Sequence, residues 1–435
     1  MNIDPNTAVI ILIIALLILL FLGMPIAFVM ILVGFGGLVT LLGIKGALTS
    51  LGIIPFGTIL SYTLTVIPMF ILMGQFAFCS GISGDLFKVG QKWLSRLPGG
   101  LACATVAGCA MFGACTGSSV ACCATMGKIA IPEMEKAGYN PRLAVGTVAG
   151  AGGLAVLIPP SLPAVIYAMV SMESVGKVLI AGILPGILSS IIFIAFIVIS
   201  VKRHPDLAPM TTGFPLKEKL MALKGVWGIL VMFTLVMGSM YMGWATPTEA
   251  GAVGAAGTLI IALVRRRSTL PEIWKACLET TRQVSMLFTI FIGTMLFGLF
   301  IARAGIPMKI AAYLGALPIP PVAVITAIIL FYIPLGMFLD PGSMILLTTP
   351  IVYPTIIHLG FNGVWWGIIL IILCEIAVIT PPVAANLYVV KGVAPHISFE
   401  DIAKGALPYV GRDLLVIAIL IIFPQIALWL PNMMR

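Results

Sequence analysis

Apolar runs of membrane-spanning length alternate with short polar connections along almost the whole chain. A spanning helix needs about 20 mostly apolar residues. The pattern predicts spans near 7–22, 25–43, 51–82 (with Pro68 inside), 178–201, 226–243, 247–264, 284–302, 322–339, 363–379 and 408–430. Three further apolar stretches are interrupted or too short: 99–115 with 120–131, 143–157 with 160–171, and 341–357. Their breaks carry Gly, Pro, Ser or Thr. Non-helical backbone at membrane depth survives only where it is buried in protein or lines a cavity, so function is sought at the breaks. Met1 to Thr7 lacks a basic n-region and no A-x-A-like site follows, which predicts a retained first span.

Composition turns this pattern into a class. Of 435 residues 60% are hydrophobic and 9% charged, against about 25% charged in a soluble domain. A soluble enzyme, a secreted scaffold and a disordered chain are excluded, leaving an all-α polytopic membrane protein. The formal charge of +9 is too scattered for a nucleic-acid surface, and in a membrane protein it reports topology. Eight cysteines show no metal spacing and read as buried free thiols.

The chain repeats itself at an offset near 222 residues. Pro132, Gly138, Tyr139 and Asn140 match Pro354, Gly360, Phe361 and Asn362. Ile158-Pro159-Pro160 matches Thr380-Pro381-Pro382, and Gly74 and Gly81 match Gly298 and Gly305 at an offset of 224. Two repeats follow, 51–200 and 280–430, with scaffold helices at 1–50 and 201–279. Charge sets their relation. Residues 85–98 and 128–142 carry Lys88, Lys92, Arg96, Lys128, Lys136 and Arg142 against three acids, whereas 305–322 and 351–366 carry only Lys309. The first flank reads cytoplasmic and the second external. Lys202-Arg203 and Arg265-Arg266-Arg267 bracket a two-span hairpin, in agreement. The repeats are therefore read as inverted, as in many secondary transporters.

Each repeat offers a re-entrant hairpin, 99–131 and 322–357. The first has the tip Gly113-Ala-Cys-Thr116-Gly117-Ser118-Ser119, the second Gly336-Met-Phe-Leu-Asp340-Pro341-Gly342-Ser343. Half-helix ends place unpaired backbone groups where they can hold an ion or a carboxylate; close packing of small residues is the plainer reading. Each hairpin precedes a Pro-Pro break, at 157–161 and 379–386. Two prolines remove two donors and free carbonyls one turn back. With Ser161 or Thr380, those oxygens suit a hard monovalent cation better than a transition metal; a simple kink is the alternative.

Ionisable residues in the spans are functional candidates by default, and four stand out: Glu249, Arg303, Asp340 and Glu375. Glu249 follows Thr246-Pro247-Thr248, a helix start, and reads as a cap. Glu375 suits a paired core position, Arg303 a snorkelling helix end, and Asp340 has the weakest structural explanation. No phosphate-binding loop, metal set or catalytic triad is evident, so no enzyme is expected.

The tips G-A-C-T-G-S-S and L-D-P-G-S, the breaks I-P-P-S and T-P-P-V, and A-T-P-T-E-A-G-A between the repeats resemble the large membrane subunit of tripartite ATP-independent periplasmic (TRAP) transporters, over nearly all the chain. The resemblance implies an elevator-type, sodium-coupled carboxylate importer of the bacterial inner membrane. Its partners would be a small four-helix membrane subunit, a periplasmic substrate-binding protein and membrane lipid, with no nucleic acid. Carried over by position, Ser118, Ser119, Ser161, Arg303 and Asp340 would line the substrate site. At least two sodium ions would bind, one at Gly117 and Ser118 with Pro159 and Pro160, the other at Gly342 with Thr380, Pro381 and Pro382. Pro382-Val-Ala-Ala-Asn386 departs from the family, which often has a glycine there. The alternative is a stand-alone sodium/dicarboxylate or citrate symporter that needs no binding protein.

Overall fold

A computed structural model describes residues 5–209, 213–265, 268–309 and 320–434. Arg266, Arg267, the first four residues and most of the expected external flank 305–322 lie outside the described residues. Every regular element described is helical. Among the described residues six helices are long and apolar enough to cross a membrane: 26–59, 62–79, 175–203, 247–264, 270–303 and 399–422. Two bent pairs raise the number to eight, Pro141–Leu157 with Leu162–Ser171 at 43° and Leu216–Leu223 with Trp227–Tyr241 at 51°. Gly100–Thr116, Pro321–Gly336 and Gly363–Ile379 are shorter apolar helices.

Three boundaries differ from the hydropathy pattern, each for a local reason. The expected span 51–82 is two elements: a helix Ile26–Ile59, interrupted at Gly43 (φ 73°), and Val66–Cys79 beyond a 3-10 turn. The expected span 284–302 is the end of a 34-residue helix, Leu270–Arg303, whose first turns carry Glu272, Lys275, Glu279 and Arg282. Those charges lower the hydropathy without breaking the helix, because Glu, Lys and Arg are good helix formers. The expected boundaries at 50/51 and 279/280 fall within the helices Ile26–Ile59, beyond its Gly43 interruption, and Leu270–Arg303. The expected span 408–430 is likewise Phe399–Ile422 followed by Gln425–Met433.

Positions about 222 residues apart share local structure. Gly138 and Gly360 both have positive φ just after a helix end, as do Gly81 and Gly305, where glycine escapes the Cβ penalty. Asn140 and Asn362 cap the next helices, their Oδ1 accepting from Arg142 N at 2.9 Å and Val364 N at 2.9 Å. Pro159-Pro160 and Pro381-Pro382 are both cis.

The two broken segments, Pro141–Leu157 with Leu162–Ser171 and Gly363–Ile379 with Ala385–Val393, pack on each other and on Phe399–Ile422 at the centre of the core. Gly146 lies against Gly405 too closely for a Cβ on either, the close approach that small residues permit in membrane bundles. Asn386 Nδ2 donates to Ala149 O at 3.0 Å, binding the second break to the first broken helix. The ties continue at the ends: Tyr353 donates to Glu173 at 2.7 Å, and His396 Nε2 lies 2.6 Å from Glu135. In each, a residue just beyond one broken helix meets the hairpin of the other half.

Candidate functional site

The first hairpin is Gly100–Thr116 and Ser119–Lys136, joined through Gly117 and Ser118. Gly117 takes φ +57°, and a Cβ there would lie 2.7 Å from the Pro160 carbonyl oxygen. Only glycine allows this tip to rest on the Pro-Pro break. Ser118 is the cap of the returning helix, its Oγ accepting from Ala121 N at 3.4 Å. Two helix C-termini (100–116 and 141–157) and two N-termini (119–136 and 162–171) converge here. The C-terminal carbonyls favour a cation, and the N-terminal amides an anion.

The tip opens into a cavity of about 250 Å³ lined by Thr116, Gly117, Ser118, Pro160, Phe70, Gln75 and Gln283, among others. Gln75 comes from the helix Val66–Cys79 and Gln283 from Leu270–Arg303. Neither glutamine is foreseen from the sequence: Gln75 is one amide inside an apolar run, and Gln283 follows the charged turns just ahead of the expected span 284–302.

The second hairpin, Pro321–Gly336 and Pro341–His358, repeats this plan. Asp340 stands 222 positions after Ser118 and caps its helix in the same way. Its Oδ2 accepts from Ser343 N at 3.1 Å and its Oδ1 from the Ser343 hydroxyl. Asp340 therefore has the structural explanation that the sequence left wanting. Val383 N donates to Met337 O at 3.1 Å, so this tip also rests on its Pro-Pro break. Gly113 packs on Ala155 in the first half as Gly336 packs on Ala377 in the second. Asp340 and Ser343 line a separate, largely apolar cavity of about 440 Å³.

The residues proposed from the sequence are not all brought together. Gly117, Ser118 and Pro160 share the first cavity. Ser161 is buried and caps the helix Leu162–Ser171, accepting from Ala164 N at 3.2 Å while its hydroxyl donates to Val156 O. That hydroxyl fills a carbonyl that Pro160 leaves without a helical donor. Ser119 is buried and does not line the first cavity. Thr380 Oγ1 donates to Ile376 O at 2.7 Å. The Cβ position of Gly342 is 4.0 Å from Leu287, so both tips reach one stretch of the helix Leu270–Arg303. Arg303 lies at the exposed end of that helix. Twenty residues at 1.5 Å each put it about 30 Å from Gln283. No ion pair joins it to Asp340 among the described residues.

Glu249 forms a capping box with Thr246, as its sequence context predicts. Glu375 is paired in the core, but its partner lies beyond the four ionisable residues named from the sequence. Arg412 and Asp413, in the helix Phe399–Ile422, complete a buried trio. Arg412 Nη2 lies 2.7 Å from Asp413 Oδ1 and 3.7 Å from Glu375 Oε2, and Nη1 donates to Ser189 at 2.6 Å. The guanidinium also sits 4.4 Å from the Phe193 ring centroid.

No group of three or more His, Cys, Asp and Glu side chains suited to a metal occurs among the described residues. The tips offer carbonyl and hydroxyl groups, with the Asp340 carboxylate at the second, a set of hard oxygen donors that fits a hard cation.

Many helices of spanning length, with polar groups collected at two hairpin tips, define a membrane transport protein. Comparison with known proteins gives the family. The model for the tripartite ATP-independent periplasmic transporter, DctM component, matches residues 13–426. The chain is 36% identical to the C4-dicarboxylate TRAP transporter large permease protein DctM of Pseudomonas aeruginosa, covering 90% of this chain and 93% of that protein. It is 29% identical to the sialic acid TRAP transporter large permease protein SiaM of Vibrio cholerae, covering 95% and 96%. The crystal structure of the Alcanivorax borkumensis YdaH transporter shares the fold, with a TM-score of 0.63 at 15% identity, covering 91% of this chain and 90% of that one. The chain belongs to the DctM family of TRAP transporter large permease subunits.

Proposed function

We propose that the chain is the membrane pathway of a sodium-coupled, binding-protein-dependent importer of organic anions in the bacterial inner membrane. The observation that carries this reading is the seating of Gly117 on the Pro160 carbonyl, beside a cavity lined by Ser118, Gln75 and Gln283 among others. Sodium would be held by oxygens of Gly117, Ser118, Pro159 and Pro160 in one half, and of Gly342, Thr380, Pro381 and Pro382 in the other. It would supply positive charge beside the substrate. The helix N-terminus at Ser119 and the two glutamine amides would orient a carboxylate.

The hairpins and broken helices would move together as a transport domain, in an elevator between inverted repeats. Their mutual packing and the Glu173–Tyr353 and His396–Glu135 ties support a single moving body. The small four-helix subunit would widen the remaining scaffold. Substrate choice would rest with the periplasmic binding protein; the relatives' names give C4-dicarboxylate and sialic acid as the classes to try first.

Proteoliposomes holding the chain and its small subunit, supplied with the loaded binding protein, test this reading. Uptake should follow an inward sodium gradient, and Thr380→Val should weaken its sodium dependence. Equal uptake on a proton gradient in sodium-free buffer rejects the coupling. Full uptake without the binding protein selects the stand-alone symporter. A cysteine at Lys92 should label from the cytoplasm and one at Lys309 from the periplasm, and labelling from one face rejects the inverted repeats.

A further inference from the structure

The short helix Leu216–Leu223 bends 51° away from the membrane helix Trp227–Tyr241 that follows it. Its sequence, LKEKLMAL, would normally turn the leucines towards the protein. The structure does the opposite. Leu216, Leu220 and Leu223 are 66%, 53% and 38% exposed. The protein-facing side carries Glu218, which is 3.3 Å from Lys92, and the partly buried Ala222. At 3.6 residues per turn the three leucines fall within an arc of about 60°. Lys217 and Lys224 flank that arc on one side and Lys219 on the other.

A leucine stripe edged by lysines, at the foot of a spanning helix, is the pattern of a helix lying in a membrane interface. Trp93 stands beside it, 42% exposed, donating through Nε1 to Lys219 O at 3.2 Å. Tryptophan in such a place belongs to the headgroup level. Charge identifies the lipid. Residues 82–97 and 213–225 together with Arg265 carry seven cations and two acids, a net +5. The acids are already engaged, Asp85 with Arg265 at 2.8 Å and Glu218 with Lys92. Lys88, Arg96, Lys217, Lys219 and Lys224 have no carboxylate partner among the described residues.

We infer that this arm is a binding site for anionic phospholipid headgroups. The leucines enter the acyl boundary and the lysines take the phosphates. The arm packs on Ile82–Leu94, which in turn packs along the first hairpin helix Gly100–Thr116. A lipid held there steadies the frame beside the first tip. The inference needs only the membrane location and is independent of sodium coupling.

The test uses the full chain with its small subunit in nanodiscs containing phosphatidylglycerol and phosphatidylethanolamine, with retained lipid identified by native mass spectrometry. Wild type should retain phosphatidylglycerol in preference to phosphatidylethanolamine. The Lys217→Gln/Lys219→Gln/Lys224→Gln variant should lose that preference by about an order of magnitude or more, while Lys404→Gln on a distant surface should keep it. Leu220→Ser should weaken retention of both lipids at this site. Equal retention by wild type and the triple variant overturns the proposal. So does a triple variant that keeps its phosphatidylglycerol but releases the small subunit, because the arm is then a protein interface.

Discussion

Replacing Arg412 with alanine should destabilise the transporter more than any other single change of a charged residue. The guanidinium is wholly buried and faces two buried carboxyl side chains, Asp413 at 2.7 Å and Glu375 at 3.7 Å. Removing one member of a buried ion pair costs about 3–5 kcal/mol, because the remaining charge has neither water nor partner. Here two carboxyl groups and the Ser189 hydroxyl lose their common partner, and the Phe193 ring loses a stacked cation. At about 4 kcal/mol, and roughly 2 °C per kcal/mol for a large chain, the midpoint should fall by roughly 8 °C. Thermal unfolding of a fluorescently tagged protein, followed by size-exclusion chromatography in detergent, measures this. Glu375→Gln removes the more distant carboxyl and keeps the 2.7 Å contact, so it should cost about 1 kcal/mol or less. The double variant Arg412→Ala/Glu375→Gln should be more stable than Arg412→Ala alone. An Arg412→Ala midpoint within about 2 °C of wild type, or a Glu375→Gln loss as large as that of Arg412→Ala, would refute this account.

Four further outcomes follow from the tips and the helix they meet. Gly117→Ala should abolish uptake, since a Cβ would meet the Pro160 carbonyl at 2.7 Å in a backbone conformation at φ +57° that costs a non-glycine residue roughly 1–2 kcal/mol; uptake at wild-type rate contradicts the seating. Gln283→Ala should raise KM roughly five- to tenfold with little change in stability, as expected for one lost hydrogen bond to substrate, and an unchanged KM removes Gln283 from the site. Asp340→Asn should keep the helix cap and the fold while Asp340→Ala loses about 1 kcal/mol. Because no ion pair links Asp340 to Arg303, Arg303→Ala/Asp340→Ala should transport no better than the worse single variant, and recovery in the double variant would show a coupling that the geometry does not contain.

Hydropathy is a local quantity, a sum of transfer costs over a window of chain, and what it governs was legible in the sequence. The interrupted segments, the tips at Gly117 and Asp340 and both Pro-Pro breaks all depend on residues within a turn or two of each other, and the repeat offset comes from matching two such local patterns. The cap at Glu249 was readable for the same reason, since its hydrogen bonds close within four residues. Tertiary structure decided which of these places face one another. Gln75 sits where the window remains apolar and Gln283 just ahead of an expected span, and only the meeting of two distant helices at the first tip makes them cavity walls. Arg412 and Asp413 were hidden in a span apolar enough to absorb a charged pair. Their meaning depends on Glu375, which lies 37 positions earlier in the chain and reaches them only through the packing of two helices. Arg303 shows the converse: its residue type suits an anion site, but a straight rise of 1.5 Å per residue carries it to the far end of its helix, away from both tips.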